Sequence, residues 1–503
     1  MATEYFDVLI VGAGLSGIGM AYHLQDKCPK KTYAVLEGRD VLGGTWDLFR
    51  YPGIRSDSDM HTLGYTFKPW LEAKAIADGP SILKYVQDTA RENGIDKHIR
   101  YGHFVKKASW SSEDASWTVQ VELKETGETV TFQCNMLLMC TGYYSYKGGH
   151  TPEFPGRESF QGQLVHPQEW PEDLDHKGKK VIVIGSGATA MTLVPAIAED
   201  VEHVVMLQRS PTYVVALPSE DKVANFLRRF LPQKIAYALT RWKNVSLQQY
   251  FYRRMREHPE AAKKRLIEMV REQLGEDYDV ETHFTPTYNP WDQRLCVVPD
   301  GDLFQAIKSG KASMATGHID TFTEKGIRLQ SGEILEADII VTATGLTLVT
   351  LGNVEFYVDD APVDFSDTFT YKGMMYSDVP NMVYTFGYIN ASWTLRADLT
   401  AEYICRLINH MDKGGFHQCT PRLREEDRGM SPRPFLDYFT PGYVQRSIHR
   451  FPKQGDREPW LNPQNYFQDK KMFRKSPVDD GVMVFTKRAK KPSDFPQPVE
   501  SVG

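Results

Sequence analysis

Residues 6–17, Phe-Asp-Val-Leu-Ile-Val-Gly-Ala-Gly-Leu-Ser-Gly, contain the pattern that decides the fold. A short apolar run predicts a buried strand, and Gly12, Gly14 and Gly17 predict a tight turn into a helix. A second apolar strand ends at Glu37, about twenty residues past the last glycine. The pattern is typical of a βαβ unit in which the helix N-terminus binds a dinucleotide pyrophosphate and the acid binds ribose hydroxyls.

A second unit of the same kind begins with the apolar strand at residues 181–184. The end of its next strand carries Arg209 and Ser210 where the first unit has an acid. An arginine can pair with a 2′-phosphate and a serine can add a hydrogen bond, so this site favours NADPH over NADH. A solvated surface charge is the alternative interpretation of Arg209. The turn residues predicted to bind the cofactor are Gly185, Gly187 and Thr189.

The order of the two units favours FAD at the first site and NADPH at the second. Two later strands end in Thr141-Gly142 and Thr344-Gly345. Small residues at strand ends allow the backbone to pass close to a bound nucleotide. Both strands therefore fit a fold that is built around nucleotides.

The 503 residues are too many for one compact core. We predict an α/β fold with two Rossmann-like dinucleotide-binding domains and a helical insertion. The predicted divisions are 1–150 (FAD-binding domain, first part), 151–215 (linker and NADPH-binding domain, first part), 216–285 (helical insertion), 286–335 (NADPH-binding domain, second part) and 336–503 (FAD-binding domain, second part, and C-terminal wrap).

Composition excludes several other classes of protein. The net charge of −6 gives no reason to expect a nucleic-acid partner. No apolar run is long enough to span a bilayer, and the glycine-interrupted start does not resemble a signal peptide, so we predict a cytoplasmic protein. The six cysteines include no CxxC pair, which argues against a disulfide framework, and we predict no metal site. The oligomeric state stays open.

The segment over residues 220–275 is helix-prone and basic, with apolar residues at helical spacing. One interpretation is an amphipathic cap over the active site that shapes a substrate tunnel. The other is an element that makes weak contact with an anionic membrane surface. We favour the cap.

Two further stretches carry a resemblance to a known family. Residues 43–57 contain Gly-Gly-x-Trp followed by Tyr-Pro-Gly and an aspartate, and residues 160–171 contain Phe-x-Gly-x-x-x-His-x-x-x-Trp-Pro. With these motifs the chain resembles the type I Baeyer–Villiger monooxygenases, which are class B flavoprotein monooxygenases. The likeness covers nearly the whole chain. Residues 288–294 and 451–455 are similar to the branch that includes the ethionamide-activating monooxygenase.

The resemblance implies a reaction that uses NADPH and O2. NADPH reduces FAD, dioxygen adds to give a C4a-peroxyflavin, and attack on a small-molecule ketone leads to an ester or lactone, with sulfoxidation as a side activity. Arg294 matches the family's active-site arginine, and Asp57 matches the aspartate that orients it. The alternative for Arg294 is a structural ion pair at a domain interface. The same signature adds Gly44, Thr45, Trp46 and Asp57 to the cofactor-binding residues.

The sequence departs from the family at Gln293, where many members have a lysine that helps to hold the NADPH phosphate. Without this lysine, the preference for NADPH over NADH is weaker, or it depends on Arg209 alone. We expect His166 to fix a hinge by a hydrogen bond and not to act as a base.

The main rival function is a flavin monooxygenase that oxygenates nitrogen or sulfur. A disulfide reductase lacks the paired cysteines it would need, and a redox sensor without turnover is a third alternative.

Overall fold

The computed structural model describes residues 3–437 and 439–488, so the predicted ranges 1–150 and 336–503 lie partly outside the described residues. The N-terminal βαβ unit is present as strand Glu4–Val11, helix Leu15–Lys27 and strand Tyr33–Leu36. The two strands are parallel, with Val11 beside Leu36. The glycine pattern therefore predicted this part of the fold correctly.

The N-terminal unit belongs to a nine-stranded sheet, called here the first sheet. The last four residues of strand Glu4–Val11 alternate between two hydrophobic cores, with Val8 and Ile10 in one and Leu9 and Val11 in the other. Both faces of the sheet are therefore covered, which explains the continuous apolar run in the sequence. The strand order is Ala361–Pro362, Glu355–Val358, His103–Ser111, Ser116–Leu123, Thr129–Met139, Glu4–Val11, Tyr33–Leu36 and Ile99–Arg100, with Met382–Tyr384 paired to Thr129–Met139.

The second glycine pattern opens a separate five-stranded sheet, called here the second sheet. All of its neighbouring strands are parallel. Strand Lys180–Ile184 leads through the turn into helix Ala188–Ile197. The strand order is Ala312–Thr316, His203–Gln208, Lys180–Ile184, Ile339–Thr342 and Gln163–Val165. The predicted fold class, with two Rossmann-like units, is confirmed.

One expectation about the connections needs correction. We placed the return to the first domain at residue 336, but strand Ile339–Thr342 pairs with Lys180–Ile184 in the second sheet. The next strand that belongs to the first sheet is Glu355–Val358. Strands of both sheets end in Thr-Gly, so this local pattern could not assign the strand to its sheet. Strand Gln163–Val165, at the edge of the second sheet, lies within the range 151–215 that was predicted as linker and NADPH-binding domain.

The remaining strands form small sheets outside these two. They are the parallel pair Tyr213–Leu217 and Leu295–Pro299, the antiparallel set Ile319–Thr323, Gly326–Leu329 and Ile334–Glu336, and the antiparallel pairs Thr370–Tyr371 with Met375–Tyr376, Gln418–Pro421 with Met483–Thr486 and Arg433–Pro434 with Lys453–Gln454.

The insertion is helical, as predicted. Its helices are Lys222–Phe230, Gln233–Glu257, Pro259–Leu274 and Val280–Phe284. Helices elsewhere are Thr45–Leu48, Met60–Leu63, Gly79–Glu92, Asp302–Lys308, Trp393–Gly414, Gly442–Gln445 and Tyr466–Lys475. Among the described residues, no helix combines the length and the apolar character needed to cross a membrane.

Candidate active site

The segment over residues 43–57 connects the two nucleotide-binding units. Gly44 has φ +57°, and a Cβ on it would lie 3.0 Å from the Cα of Gly14 in the first glycine turn. Gly53 has φ +74°, and a Cβ there would lie 2.4 Å from the Cβ of Ala196 in helix Ala188–Ile197 of the second unit. Only glycine combines this backbone conformation with such close contacts. The segment therefore packs one end against each nucleotide-binding unit.

Between the two units lies an open cleft, lined by the first glycine turn on one side and by Ala188 and Thr192 of helix Ala188–Ile197 on the other. Sequence-predicted residues that line it are Gly12, Gly14, Glu37, Gly44, Thr45, Trp46, Asp57 and Arg294. Gly17 lies behind the first turn, where a Cβ would come within 1.9 Å of the carbonyl oxygen of Gly12.

Glu37 lies at the end of the second strand and is buried. Its carboxylate accepts hydrogen bonds from the backbone N–H groups of Ala13, at 2.7 Å, and Arg39, at 2.9 Å. Burial raises the pKa of Glu37, and these two N–H donors oppose the shift. The carboxylate is thus fixed beside the glycine turn with acceptor capacity to spare for ribose hydroxyls.

The two glycine turns are built alike. A Cβ on Gly12 would lie 2.5 Å from the carbonyl oxygen of Cys140, and one on Gly185 would lie 2.3 Å from that of Ala343. Each of these carbonyls belongs to the residue just before a Thr-Gly pair. The first glycine of each unit therefore lets the turn approach the end of a neighbouring strand, as the Thr-Gly pattern indicated.

Arg209 and Ser210 are exposed directly after strand His203–Gln208. The loop that carries them is tied to the second glycine turn, because the hydroxyl of Thr212 donates to that of Ser186 at 3.0 Å. This hydrogen bond holds the loop with its cation and hydroxyl beside the N-terminus of helix Ala188–Ile197, which is a fitting arrangement for a phosphate. Gly187 caps that helix with its backbone alone.

Arg294 and Asp57 form an ion pair in the cleft. The guanidinium Nη2 of Arg294 donates to Oδ2 of Asp57 at 3.0 Å. Burial by itself lowers the pKa of Arg294, but attraction to Asp57 and to the neighbouring Tyr443 and Tyr143 outweighs it, so the pKa is raised above its already high value. The guanidinium therefore keeps its charge at every working pH.

Sequence reasoning missed the aromatic residues around this ion pair. The hydroxyls of Tyr143 and Tyr144 lie 3.0 Å apart, and the ring of Tyr143 stacks on Trp393 with centroids 5.3 Å apart. All three side chains line the cleft. Burial raises the pKa of Tyr144 to about 12, so its hydroxyl stays protonated. The two tyrosines directly follow Thr141-Gly142, a position that could have singled them out.

His166 makes backbone contacts at both ring nitrogens. Its Nε2 lies 3.3 Å from the carbonyl oxygen of Gly345, and its Nδ1 accepts from the N–H of Gln168 at 3.1 Å. Burial lowers the pKa of His166, which keeps the ring neutral near pH 7. His166 therefore links the segment over residues 160–171 to the loop that follows strand Ile339–Thr342, which fits the expected hinge.

The insertion contacts the wall of the cleft from behind. Val245 packs with Tyr388 and Leu395 in a small buried cluster, and Tyr388 also lines the cleft. In the described part of the chain, the lining residues lie outside the range 216–285. The expected cap therefore supports the wall of the cleft and does not line it.

Comparison with known proteins identifies the family. The model of the flavin-binding monooxygenase-like family matches residues 76–385. A model described as an NAD(P)-binding Rossmann-like domain matches residues 10–76. The first match covers more than half of the chain.

Individual proteins agree with this assignment. The chain is 53% identical to the FAD-containing monooxygenase EthA of Mycobacterium tuberculosis (strain ATCC 25618 / H37Rv), over 97% of this chain and 99% of the relative. A steroid monooxygenase structure bound to NADP has a TM-score of 0.76 at 21% identity, covering 96% of this chain and 100% of that one. The open crystal structure of cyclohexanone monooxygenase has a TM-score of 0.69 at 20% identity, covering 84% and 91%. At these identities the two structures support the fold alone. The family match and the EthA relative confirm the prediction that the chain is a flavin monooxygenase. The chain therefore belongs to the flavin-binding monooxygenase-like family.

Proposed function

We propose that this enzyme uses NADPH and O2 to insert one oxygen atom beside a ketone carbonyl, giving an ester or lactone. The observation that carries the proposal is the Arg294–Asp57 ion pair, which lies in the same cleft as the first glycine turn. A permanent positive charge inside the cleft suits a reaction in which negative charge develops on the substrate oxygen. The name of the cyclohexanone monooxygenase, a structural neighbour, agrees with a ketone substrate.

FAD fits the first unit and NADPH fits the second. The glycine turn and the fixed carboxylate of Glu37 suit a dinucleotide with a free ribose, whereas Arg209 and Ser210 suit a 2′-phosphate. The EthA relative is described as FAD-containing, and the steroid monooxygenase structure contains NADP. When bound and reduced by NADPH, FAD supplies the activation of dioxygen.

The remaining groups of the cleft orient and shield the reacting ketone. Arg294 stabilises the oxyanion that forms when the carbonyl carbon is attacked, and Asp57 fixes the guanidinium in place by a charge-assisted hydrogen bond. Tyr144 keeps its proton because burial raises its pKa to about 12, so it adds a neutral donor next to this charge. The stacked rings of Tyr143 and Trp393 exclude water from the same wall.

We also propose that the enzyme works in the cytoplasm on a small-molecule ketone. All six cysteines are buried and unpaired, which suits a reducing compartment.

Product analysis tests the chemistry. The purified enzyme would receive FAD, NADPH, heavy-isotope dioxygen and a panel of linear, cyclic and aryl ketones together with a thioether. We expect an ester or lactone that carries one heavy oxygen atom, and the preferred ketone would identify the substrate type. A labelled sulfoxide with no ester from any ketone would instead assign oxygenation of heteroatoms. Arg294 and Asp57 would then have structural roles.

A further inference from the structure

The first two helices of the insertion expose large apolar side chains on one side. Phe230 is 71% exposed and Trp242 is 67% exposed, and four neighbours are exposed by more than two fifths. Together these six residues are called here the outer face. They are Phe226, Phe230, Ile235, Leu239, Trp242 and Tyr250. A contiguous apolar stripe of this kind on a protein surface marks an interaction site.

The opposite side of the second helix is firmly attached to the first domain. The side chain of Arg241 is buried and donates to the carbonyl oxygens of His61, Thr62 and Gly64 at 2.7–3.1 Å. Its Nη2 also lies 3.7 Å from the carboxylate of Asp398. The helix cannot rotate to hide Trp242 without exposing this buried charge, because the two side chains adjoin in the sequence.

The first helix is attached on the same side. Arg228 donates to the carbonyl oxygen of Leu71. Ala224 and Arg228 from the first helix and Ala236 and Thr240 from the second line one small cavity against the first domain. The exposed apolar residues of both helices recur at helical spacing, on the side of each helix that faces away from this cavity. The outer faces of both helices therefore look outward from the same part of the molecule.

The charged residues of these two helices are almost all positive. Residues 222–257 contain nine lysines and arginines and a single acid, Glu257, which pairs with Arg253, although the chain as a whole has a net charge of −6. Arg229, Lys234 and Arg254 are exposed beside the apolar side chains. A basic helix pair with exposed Phe and Trp combines the two features that bind an anionic lipid surface.

We propose that the outer face docks on the surface of an anionic lipid bilayer. The aromatic side chains enter the interface between headgroups and acyl chains, and the surrounding arginines and lysines pair with lipid phosphates. The concentrated positive charge argues against a second copy of this chain as the occupant, since two identical basic faces would repel one another. The inference does not depend on which substrate is oxygenated.

Vesicle sedimentation of the full-length, FAD-loaded protein tests this proposal. One set of vesicles would contain one part phosphatidylglycerol to two parts phosphatidylcholine, and the other phosphatidylcholine alone. We expect binding to the anionic vesicles, weakening as salt is added. The double variant Arg229→Gln, Lys234→Gln should lose about fivefold in affinity per removed charge. The double variant Phe230→Ser, Trp242→Ser should lose at least as much.

Matched controls carry the same changes elsewhere. Lys308→Gln with Lys325→Gln removes two exposed charges outside the insertion, and Ile334→Ser replaces an apolar residue that is 59% exposed. Both controls should bind like the wild type, and thermal unfolding with retained flavin absorbance establishes that every variant is folded. The proposal is overturned if the wild type does not sediment at low salt, or if variants and controls bind alike. Light scattering that shows a dimer dissociated by Phe230→Ser with Trp242→Ser would also overturn it, in favour of a second copy.

Discussion

Asp57 accepts a 3.0 Å hydrogen bond from Arg294, although 237 positions separate the two residues in the sequence. Asp57 lies at the end of the segment that packs between the two nucleotide-binding units, and Arg294 directly precedes strand Leu295–Pro299. The position of the charge in the cleft therefore depends on how both units are held together. This makes the pair sensitive to conservative substitutions.

Replacing Arg294 with lysine should separate oxygen transfer from cofactor oxidation. Lysine keeps the charge but loses the planar fork that Asp57 orients, so we expect ester formation to fall by roughly 10²–10³-fold. NADPH oxidation should continue, with its electrons released as hydrogen peroxide. The measurement is the ratio of ester formed to NADPH consumed. Arg271→Lys changes an arginine that pairs with Glu281 and does not line the cleft, so it should leave the ratio unchanged. An unchanged ratio for Arg294→Lys would assign the ion pair a purely structural role.

The sequence predicted those parts of the molecule that are encoded locally. Both βαβ units follow from apolar runs and glycine spacing, and the insertion follows from helical periodicity. The membership of strand Ile339–Thr342 was mistaken because pairing partners are distant in the sequence. The contact of Arg241 with the carbonyls of His61 and Gly64 could not be predicted for the same reason. Nothing in a lone arginine within a basic helix indicates that it is buried.

Arg209→Ala should change the choice between the two nicotinamide cofactors. If Arg209 pairs with the 2′-phosphate, its loss should raise the KM for NADPH by about 10–100-fold and leave that for NADH nearly constant. Steady-state kinetics with each cofactor measures this. Arg328→Ala removes an arginine that pairs with Asp320 at the surface and serves as the control. An equal rise for both cofactors would contradict the phosphate role.

Gln293→Lys should act in the opposite direction. A lysine at this position supplies the charge that the family resemblance implies there, so a bound 2′-phosphate should gain an ion pair. We expect the KM for NADPH to fall by several-fold while that for NADH stays constant. Gln305→Lys, in helix Asp302–Lys308, adds the same charge at an exposed position and should change neither. A fall for both cofactors would show a general electrostatic effect without recognition of the phosphate.

Gly53→Ala should loosen the junction between the two units. Gly53 and Gly127 have nearly equal φ values of +74° and +71°, but a Cβ at Gly127 would meet no atom within 4 Å. Gly127→Ala therefore measures the backbone cost alone, about 1–2 kcal/mol. Gly53→Ala adds a clash with Ala196 and should cost roughly 1–3 kcal/mol more in unfolding free energy. Urea unfolding compares the two variants.

A compensating change checks that the clash is the cause. Ala196→Gly removes the methyl group that the new Cβ would meet, so the double variant Gly53→Ala, Ala196→Gly should recover part of the lost stability. A glycine inside helix Ala188–Ile197 itself costs about 1 kcal/mol, so the recovery is read against Ala196→Gly alone. Strictly additive effects of the two substitutions would rule out the contact.

Acid stability should depend on Asp398, the buried carboxylate beside Arg241. Burial by itself raises the pKa of Asp398, but the hydrogen bond and charge of His23, together with Arg241, outweigh it and the pKa is lowered. A carboxyl whose pKa is lower in the folded state stabilises the fold above its unfolded value of about 3.9, and this stability is lost as the pH falls through the lower folded value. Asp398→Asn should therefore reduce stability at pH 7 and flatten its decline below about pH 4.

Arg241→Met should weaken the contact between Arg241 and Asp398 by removing the cation. It leaves the carboxylate of Asp398 and three backbone carbonyls without their buried partner, so we expect a loss of about 3–5 kcal/mol in unfolding free energy. Arg254→Met removes an exposed arginine from the same helix and should change stability by less than about 0.5 kcal/mol. Urea midpoints at pH 7 compare the two. If both variants unfold at the wild-type midpoint, Arg241 does not attach the insertion to the first domain, and the outer face would be free to turn inward.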